Sequence, residues 1–115
     1  MFSKKNIKDI PIEETPHASG GRKLVVGKEE TTSKYFEAHT HGYLPSGEKW
    51  SMHKHENIVE ICVVLKGSGI VRDSSGNEEY FEPGDRFIFP SDTKHEIENT
   101  SPAAAEFYFF RFLNN

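Results

Sequence analysis

The feature that most constrains the fold is the close spacing of turn-forming residues along the chain. Glycine, proline, serine and asparagine cluster at residues 45–47, 67–69, 74–77 and 83–85. The segments between these clusters are short, and many are rich in β-branched and aromatic residues. Such spacing predicts many short strands joined by tight turns, and therefore an all-β sandwich or barrel.

We predict nine strands in a single barrel domain over residues 22–115. No internal repeat and no amphipathic helix is apparent in the sequence. Residues 1–21 are predicted to form an extended N-terminal arm, because they are polar and interrupted by Pro11 and Pro16. The predicted strands cover residues 22–26, 35–44, 49–55, 58–66, 70–73, 78–81, 86–89, 95–99 and 106–112.

Four side chains of types that bind metals come from two separated segments. His53 and His55 are two residues apart, so on one strand both imidazoles point to the same face. A divalent metal is one partner that would satisfy both rings. Glu60 interrupts an apolar run, where a carboxylate is costly unless it is paired or binds a metal. His95 follows in the second segment.

The spacing of these residues resembles the two motifs of the cupin superfamily, in its small single-domain, RmlC-like form. The first motif is matched by Gly47, His53, His55, Glu60 and Gly67, and the second by Gly84, Pro90, His95 and Asn99. Asp92 stands where the second motif usually has glycine, and an Asx-type turn is expected there. The resemblance implies a jelly-roll β-barrel, also called a double-stranded β-helix.

The resemblance also implies a metal site formed by His53, His55, Glu60 and His95. Three imidazoles and one carboxylate suit Mn, Fe, Co, Ni, Cu or Zn, and the ligand set does not choose among these ions. Four protein ligands leave about two positions open on an octahedral ion. Open positions are typical of catalytic or ligand-binding sites. The alternative is a degenerate barrel that has kept its shape and lost its metal.

The predicted function is that of a metal-dependent enzyme acting on a small sugar or sugar-acid-like metabolite. No nucleophilic triad, phosphate-binding loop or dinucleotide fingerprint is visible, and related small cupins include isomerases, lyases and dioxygenases. The alternative is a non-catalytic module that binds a small ligand or the metal itself. Catalytic residues are not assigned. The candidates for an acid, a base or a carboxylate clamp are Tyr35, Tyr43, Lys49, Arg72, Arg86 and Arg111.

Three histidines remain outside this ligand set. His39 and His41 form a second His-x-His pair on a predicted strand. They are expected to face solvent or an interface, and the alternatives are the mouth of the pocket or a second site. His17, in the N-terminal arm, is given no role.

Composition and charge exclude several kinds of partner. The net charge is −4 and no basic stripe is present, so we expect no binding to nucleic acid. No segment approaches the ~20 apolar residues of a membrane span, and the N-terminus lacks the apolar region of a signal peptide. A cytoplasmic protein is predicted. Cys62 is the single cysteine, so no intrachain disulfide is possible.

The strand that carries Glu60 is apolar on both faces. If Glu60 points into the barrel, then Val59, Ile61, Val63 and Leu65 point outward. No predicted helix covers them, and a strand that is apolar on both faces needs a second cover. We therefore predict a homodimer, and the alternative is that the N-terminal arm covers this face.

Overall fold

The computed structural model describes residues 2–14 and 19–114, and nearly all of its regular structure is β. Its ten strands are β1 (Glu13–Glu14), β2 (Gly21–Gly27), β3 (Phe36–Leu44), β4 (Lys49–His53), β5 (Ile58–Lys66), β6 (Gly69–Asp73), β7 (Glu78–Phe81), β8 (Arg86–Phe89), β9 (His95–Asn99) and β10 (Ala105–Leu113). Short 3-10 helices occupy Ile7–Asp9 and Lys28–Glu30. The nine predicted strands correspond to β2 through β10, which confirms the all-β prediction.

The strands form two antiparallel sheets with the arrangement of a jelly roll. The larger sheet has the order β1-β2-β3-β10-β5-β8, and the smaller has the order β4-β9-β6-β7. Strands distant in sequence are neighbours, since β10 lies between β3 and β5. The chain therefore passes repeatedly from one sheet to the other, and each sheet contributes one face to a shared interior.

The interior is filled by the inward side chains of both sheets. On β5, Glu60, Cys62 and Val64 are buried, as predicted, and Phe107 on β10 is fully buried. Other members of the core are Leu44, Trp50, Val71, Phe81, Phe89, Ile97, Ala105 and Phe109. Alternation of inward and outward side chains along each strand accounts for this packing.

Turns are fixed by residues that accept left-handed backbone geometry. Asp92 has φ 66° and Asn57 has φ 59°, so both adopt left-handed backbone geometry, and the Asx-type turn at Asp92 stays a prediction. The buried Asn99 amide donates to the carbonyl oxygens of Leu44 and Ala103, each at 2.8 Å. This side chain ties the end of β3 to the loop before β10, and thus has an architectural role.

The described part of the N-terminal arm lies beside β2. Lys23 donates through Nζ to the carbonyl oxygen of Ile7 at 2.8 Å, and Glu13 on β1 accepts from Arg22 at 3.0 Å. His17 lies outside the described residues. Within the described ranges, no helix is long and apolar enough to cross a membrane.

Candidate metal site

Three histidines converge where β4 meets β9. His53 and His95 are paired across these two strands, and their ring centroids are 4.6 Å apart. The His55 ring centroid lies 4.9 Å from that of His53. One ligand nitrogen from each of the three rings falls within 4.8 Å of the others. We call His53, His55 and His95 the three-histidine cluster.

His55 reaches the cluster by a different route from the one predicted. The sequence predicted a strand through His55, but β4 ends at His53. The chain leaves the sheet at Lys54 and turns at Glu56 and Asn57, and Asn57 has a left-handed backbone. The turn brings the His55 ring back toward His53, so the prediction that both rings face the same side survives although the strand is shorter.

Hydrogen bonds orient two of the imidazoles. Nδ1 of His53 lies 2.7 Å from the carbonyl oxygen of Ser51, and Nδ1 of His95 lies 3.5 Å from that of Thr93. Because a carbonyl oxygen only accepts, the short contact of His53 places its proton on Nδ1 and leaves Nε2 with a lone pair. The His95 ring stacks on Phe89, with centroids 3.8 Å apart. The orientation of His53 thus suits a neutral ring that binds a metal through Nε2.

The electrostatics of the site also favour neutral imidazoles. Burial lowers the pKa of His55 to about 4, against the opposing effect of Glu60. Burial also lowers the pKa of His53, although its hydrogen bond to Ser51 opposes the change. Both rings are therefore neutral at pH 7, which is the protonation state that a metal requires of its histidine ligands.

Glu60 lies beside the cluster and is 5% exposed. Its Oε1 atom is 3.5 Å from Nε2 of His95, and its Oε2 atom is 3.9 Å from Nε2 of His55 and 3.6 Å from Nη1 of Arg111. Burial raises the pKa of Glu60, but the neighbouring His95, His55 and Arg111 outweigh burial and keep this pKa below its usual value. The Glu60 carboxylate is thus ionised, and it lies close to Nε2 of His55, Nε2 of His95 and Nη1 of Arg111.

An open cavity of about 70 Å³ exposes the cluster. At 10–15 Å³ per water position, it has room for on the order of five waters, so it suits a ligand of only a few heavy atoms. Besides the cluster and Glu60, its walls are formed by Arg22, Thr40, Gly42, Trp50, Ile97, Phe109 and Arg111. The cavity thus combines apolar walls with a few polar groups.

Arg111 alone among the six predicted acid, base or clamp candidates lines the cavity in the described part of the chain. Its Nε donates to Oε2 of Glu37 at 2.7 Å. Sequence reasoning gave no role to Glu37 or to Arg22. The sequence did contain a signal that Arg111 points toward the interior, because Arg111 follows the buried residues Phe107 and Phe109 at the two-residue spacing of one strand face.

The second histidine pair does not belong to this cavity. The His39 ring stacks on Phe110 with centroids 4.2 Å apart, and Nε2 of His41 lies 2.9 Å from Oε1 of Glu106. Neither ring lines the cavity. Within the described residues they are grouped with aromatic side chains of β10, which argues against a place at the pocket mouth.

Comparison with known proteins gives a family match and several structural neighbours. The profile of the cupin domain family Cupin_2 matches residues 36–111. The oxalate-binding protein of Thermotoga maritima is 38% identical over 64 residues, which are 56% of this chain and 52% of that protein. The aligned part thus spans about half the length of that relative.

Solved structures reproduce the fold over almost the whole chain. A crystal structure described as a predicted oxalate decarboxylase, also from Thermotoga maritima, has a TM-score of 0.83 and 26% identity, covering 94% of this chain and 96% of that one. A cupin-superfamily sugar phosphate isomerase from Silicibacter pomeroyi has a TM-score of 0.75 and 21% identity, covering 96% of this chain and 75% of that one. At that lower identity the likeness concerns the fold alone.

Proposed function

Because the chain belongs to the cupin domain family, we propose that it is a metal-dependent enzyme that acts on a small oxygenated acid. The observation that carries the proposal is the three-histidine cluster, whose ligand nitrogens lie within 4.8 Å of one another beside an open cavity. Glu60, next to the cluster, is the proposed fourth ligand. The ion is one of Mn, Fe, Co, Ni, Cu or Zn, because a mixed nitrogen and oxygen donor set accepts all of them.

A divalent ion held there supplies a Lewis acid that polarises an oxygen of the substrate. The protein's own residues set the surroundings of that chemistry. The carbonyl oxygens of Ser51 and Thr93 hold the His53 and His95 rings in orientation. Trp50 and Phe109 supply apolar walls that limit the water in the cavity. An apolar surround strengthens electrostatic interactions between the site and a charged substrate.

The proposed substrate class is a small carboxylic acid, with oxalate as the first compound to test. The names of the two Thermotoga maritima proteins support oxalate, and a cavity of about 70 Å³ supports a ligand of that small size. Lyase chemistry, in which a carbon–carbon bond is cleaved, is the proposed reaction type. A sugar acid is the second class to test, and the sugar phosphate isomerase supports only the fold.

A non-catalytic binding protein is the second candidate. In the described part of the chain, no tyrosine or lysine lines the cavity. An isomerase that moves protons between carbon atoms needs a general base within direct or one-water reach, and Glu60 is already close to two histidines and Arg111. This composition favours simple ligand binding, or chemistry at the ion, over isomerisation.

Turnover by metal-loaded protein separates these candidates. Protein made without a nickel column is loaded with the metal that elemental analysis identifies, and is then incubated with oxalate or with a panel of sugar acids. Metal-dependent loss of the substrate supports the enzyme, and for oxalate the lyase products are formate and carbon dioxide, with uptake of one proton from solvent. Stoichiometric binding without turnover supports the binding protein. If the protein takes up no metal, the metal-dependent enzyme is wrong, and the binding protein stands only if the protein binds one of these ligands without metal.

We further propose that the protein is a homodimer joined through the outer face of the larger sheet. Val59, Ile61 and Val63 pair across strands with Phe112, Phe110 and Tyr108, and Ile88 beside them is 51% exposed. We call these residues, together with Leu65, the outer apolar face. The described part of the arm lies beside β2, so a second copy is the proposed cover. The arm at residues 1–21, the barrel domain at residues 22–115 and a cytoplasmic location stay predictions.

A further inference from the structure

Arg111 has more hydrogen-bonding capacity than the described protein residues use. A guanidinium carries five N–H donors, and the hydrogen bond described for this side chain runs from Nε to Glu37. Nη1 lies 3.6 Å from Oε2 of Glu60, an ion-pair distance beyond hydrogen-bond reach. The side chain is only 18% exposed, so its remaining donors face a confined space at the wall of the cavity.

The position of Glu60 places those donors beside the cluster. Its carboxylate contacts both Arg111 and the Nε2 atoms of His55 and His95, at distances between 3.5 and 3.9 Å. The guanidinium is therefore about one carboxylate group away from the three-histidine cluster. A small ligand in this cavity would therefore lie beside both the cluster and Arg111.

The charges of the site leave room for such an anion. Resting on the proposed function, the divalent ion, Arg111 and Arg22 contribute four positive charges, and Glu60, Glu37 and Glu13, the ion-pair partner of Arg22, contribute three negative charges. One positive charge is left over in a mostly buried site, and a buried charge is costly unless it is paired. A neutral ligand leaves that excess in place, whereas an anionic ligand cancels it.

We infer that Arg111 is the residue that determines specificity for an anionic ligand, by pairing its guanidinium with the ligand's carboxylate at the wall of the cavity. The planar guanidinium matches the planar carboxylate in shape. Two parallel N–H donors therefore fix the orientation of a carboxylate and also neutralise its charge. Glu37 holds the guanidinium through Nε, and Nη1 lies on the side of Glu60. The ligand class is a small carboxylate, and a neutral diol or sugar of the same size is excluded.

Calorimetry with a charged and a neutral probe of the same shape tests the inference. Oxalate and its neutral diamide, oxamide, are titrated into metal-loaded wild type and into Arg111→Gln, Arg111→Lys and Arg86→Gln. Arg86 is exposed on β8 and does not line the cavity, so its variant is the matched control for loss of one positive charge. Metal content is measured for every variant after the titration, because oxalate itself binds metals.

We expect wild type and Arg86→Gln to bind oxalate equally and to prefer it to oxamide. Arg111→Gln should weaken oxalate binding by about 10- to 100-fold with unchanged metal content, since a hydrogen bond to a charged group is lost. Arg111→Lys keeps the charge and loses the paired donors, so its binding should lie between the two. It also carries the test if Arg111→Gln does not fold.

Two results overturn the inference and leave the metal site standing. One is full metal content with oxalate binding unchanged in Arg111→Gln, or in Arg111→Lys if the first variant does not fold. The other is wild-type protein that binds metal but binds oxamide as tightly as oxalate, or binds no oxalate at all. Wild-type protein that takes up no metal instead refutes the proposed function, and the two failures are therefore distinct.

Discussion

Protonation of His55 should destabilise the metal-free protein, by an amount that follows from its pKa. Burial lowers that pKa from 6.5 in the unfolded chain to about 4 in the folded one. Between these two values the unfolded chain binds a proton that the folded chain does not. Stability therefore rises with pH in this window, and the contribution of His55 is complete above pH 6.5 and lost as the pH falls to about 4.

The size of the effect is about 3 kcal/mol, at about 1.4 kcal/mol for each unit of difference between the two pKa values. The His55 side chain is 22% exposed, so solvent screens the effect only in part. A domain of this size is typically stable by about 5–15 kcal/mol, so the loss is a measurable fraction of the whole. Other groups titrate in the same window, and a variant is needed to isolate His55.

Urea unfolding of EDTA-treated protein at several pH values measures the effect. Trp50 is the single tryptophan and is 5% exposed, so its fluorescence reports unfolding of the core. The variant His55→Gln keeps a polar side chain and cannot titrate here. We expect the unfolding free energy of wild type to fall by about 3 kcal/mol more than that of His55→Gln between pH 6.5 and pH 4. Equal pH dependence in the two proteins would refute the reasoning.

Two further predictions concern packing. Ile61→Lys places a charge in the outer apolar face and should give a monomer or an aggregate, while the control Ser75→Lys in the exposed β6–β7 turn should do neither. Sedimentation of wild type should give a species of twice the 13.1 kDa of one chain. A species of 13.1 kDa would contradict the dimer. Phe107→Ala removes a fully buried ring and should cost about 3–5 kcal/mol in urea unfolding, whereas Tyr80→Ser, at a side chain 79% exposed, should cost far less. Equal losses in those two variants would show that the described core is wrong.

Much of the fold could be predicted because turn residues and strand alternation are local properties of the sequence. The predicted strands match β2 through β10 closely, and the facing of β5 followed from one buried carboxylate, Glu60. Asp92 was predicted to adopt turn geometry and has φ 66°. The two residues of β1 were missed, because Glu13 and Glu14 are exposed and carry no hydrophobic signal.

The site residues that the sequence did not predict depend on how strands distant in sequence are paired. Simple alternation along β3 would place Glu37 on the same face as His39 and His41, but the register of β3 against β10 shifts between Arg111 and Phe112. In the structure Glu37 binds Arg111 instead. A bulge of this kind changes the direction of a side chain through pairing with another strand, and the sequence of β3 alone contains no sign of it.

The burial of the outer apolar face also depends on strand pairing, which the sequence of β5 alone does not give. Val59, Ile61, Val63 and Leu65 are half-buried within a single chain, because neighbouring strands of the same sheet shield part of each side chain. The sequence argument considered only cover by a helix, the N-terminal arm or a second copy, and not this shielding within the sheet. The stabilisation available from a second copy is therefore smaller than that argument assumed, although the direction of the prediction is unchanged.

The metal content of the protein tests the central claim most directly. Wild type purified without a nickel column, and the double variant His53→Ala with His55→Ala, are exposed to the same mixture of divalent transition metals, dialysed and analysed for bound metal per chain. We predict about one equivalent in wild type and none in the double variant, with circular dichroism showing that both are folded. One equivalent retained by the double variant, or none taken up by wild type, would contradict the account.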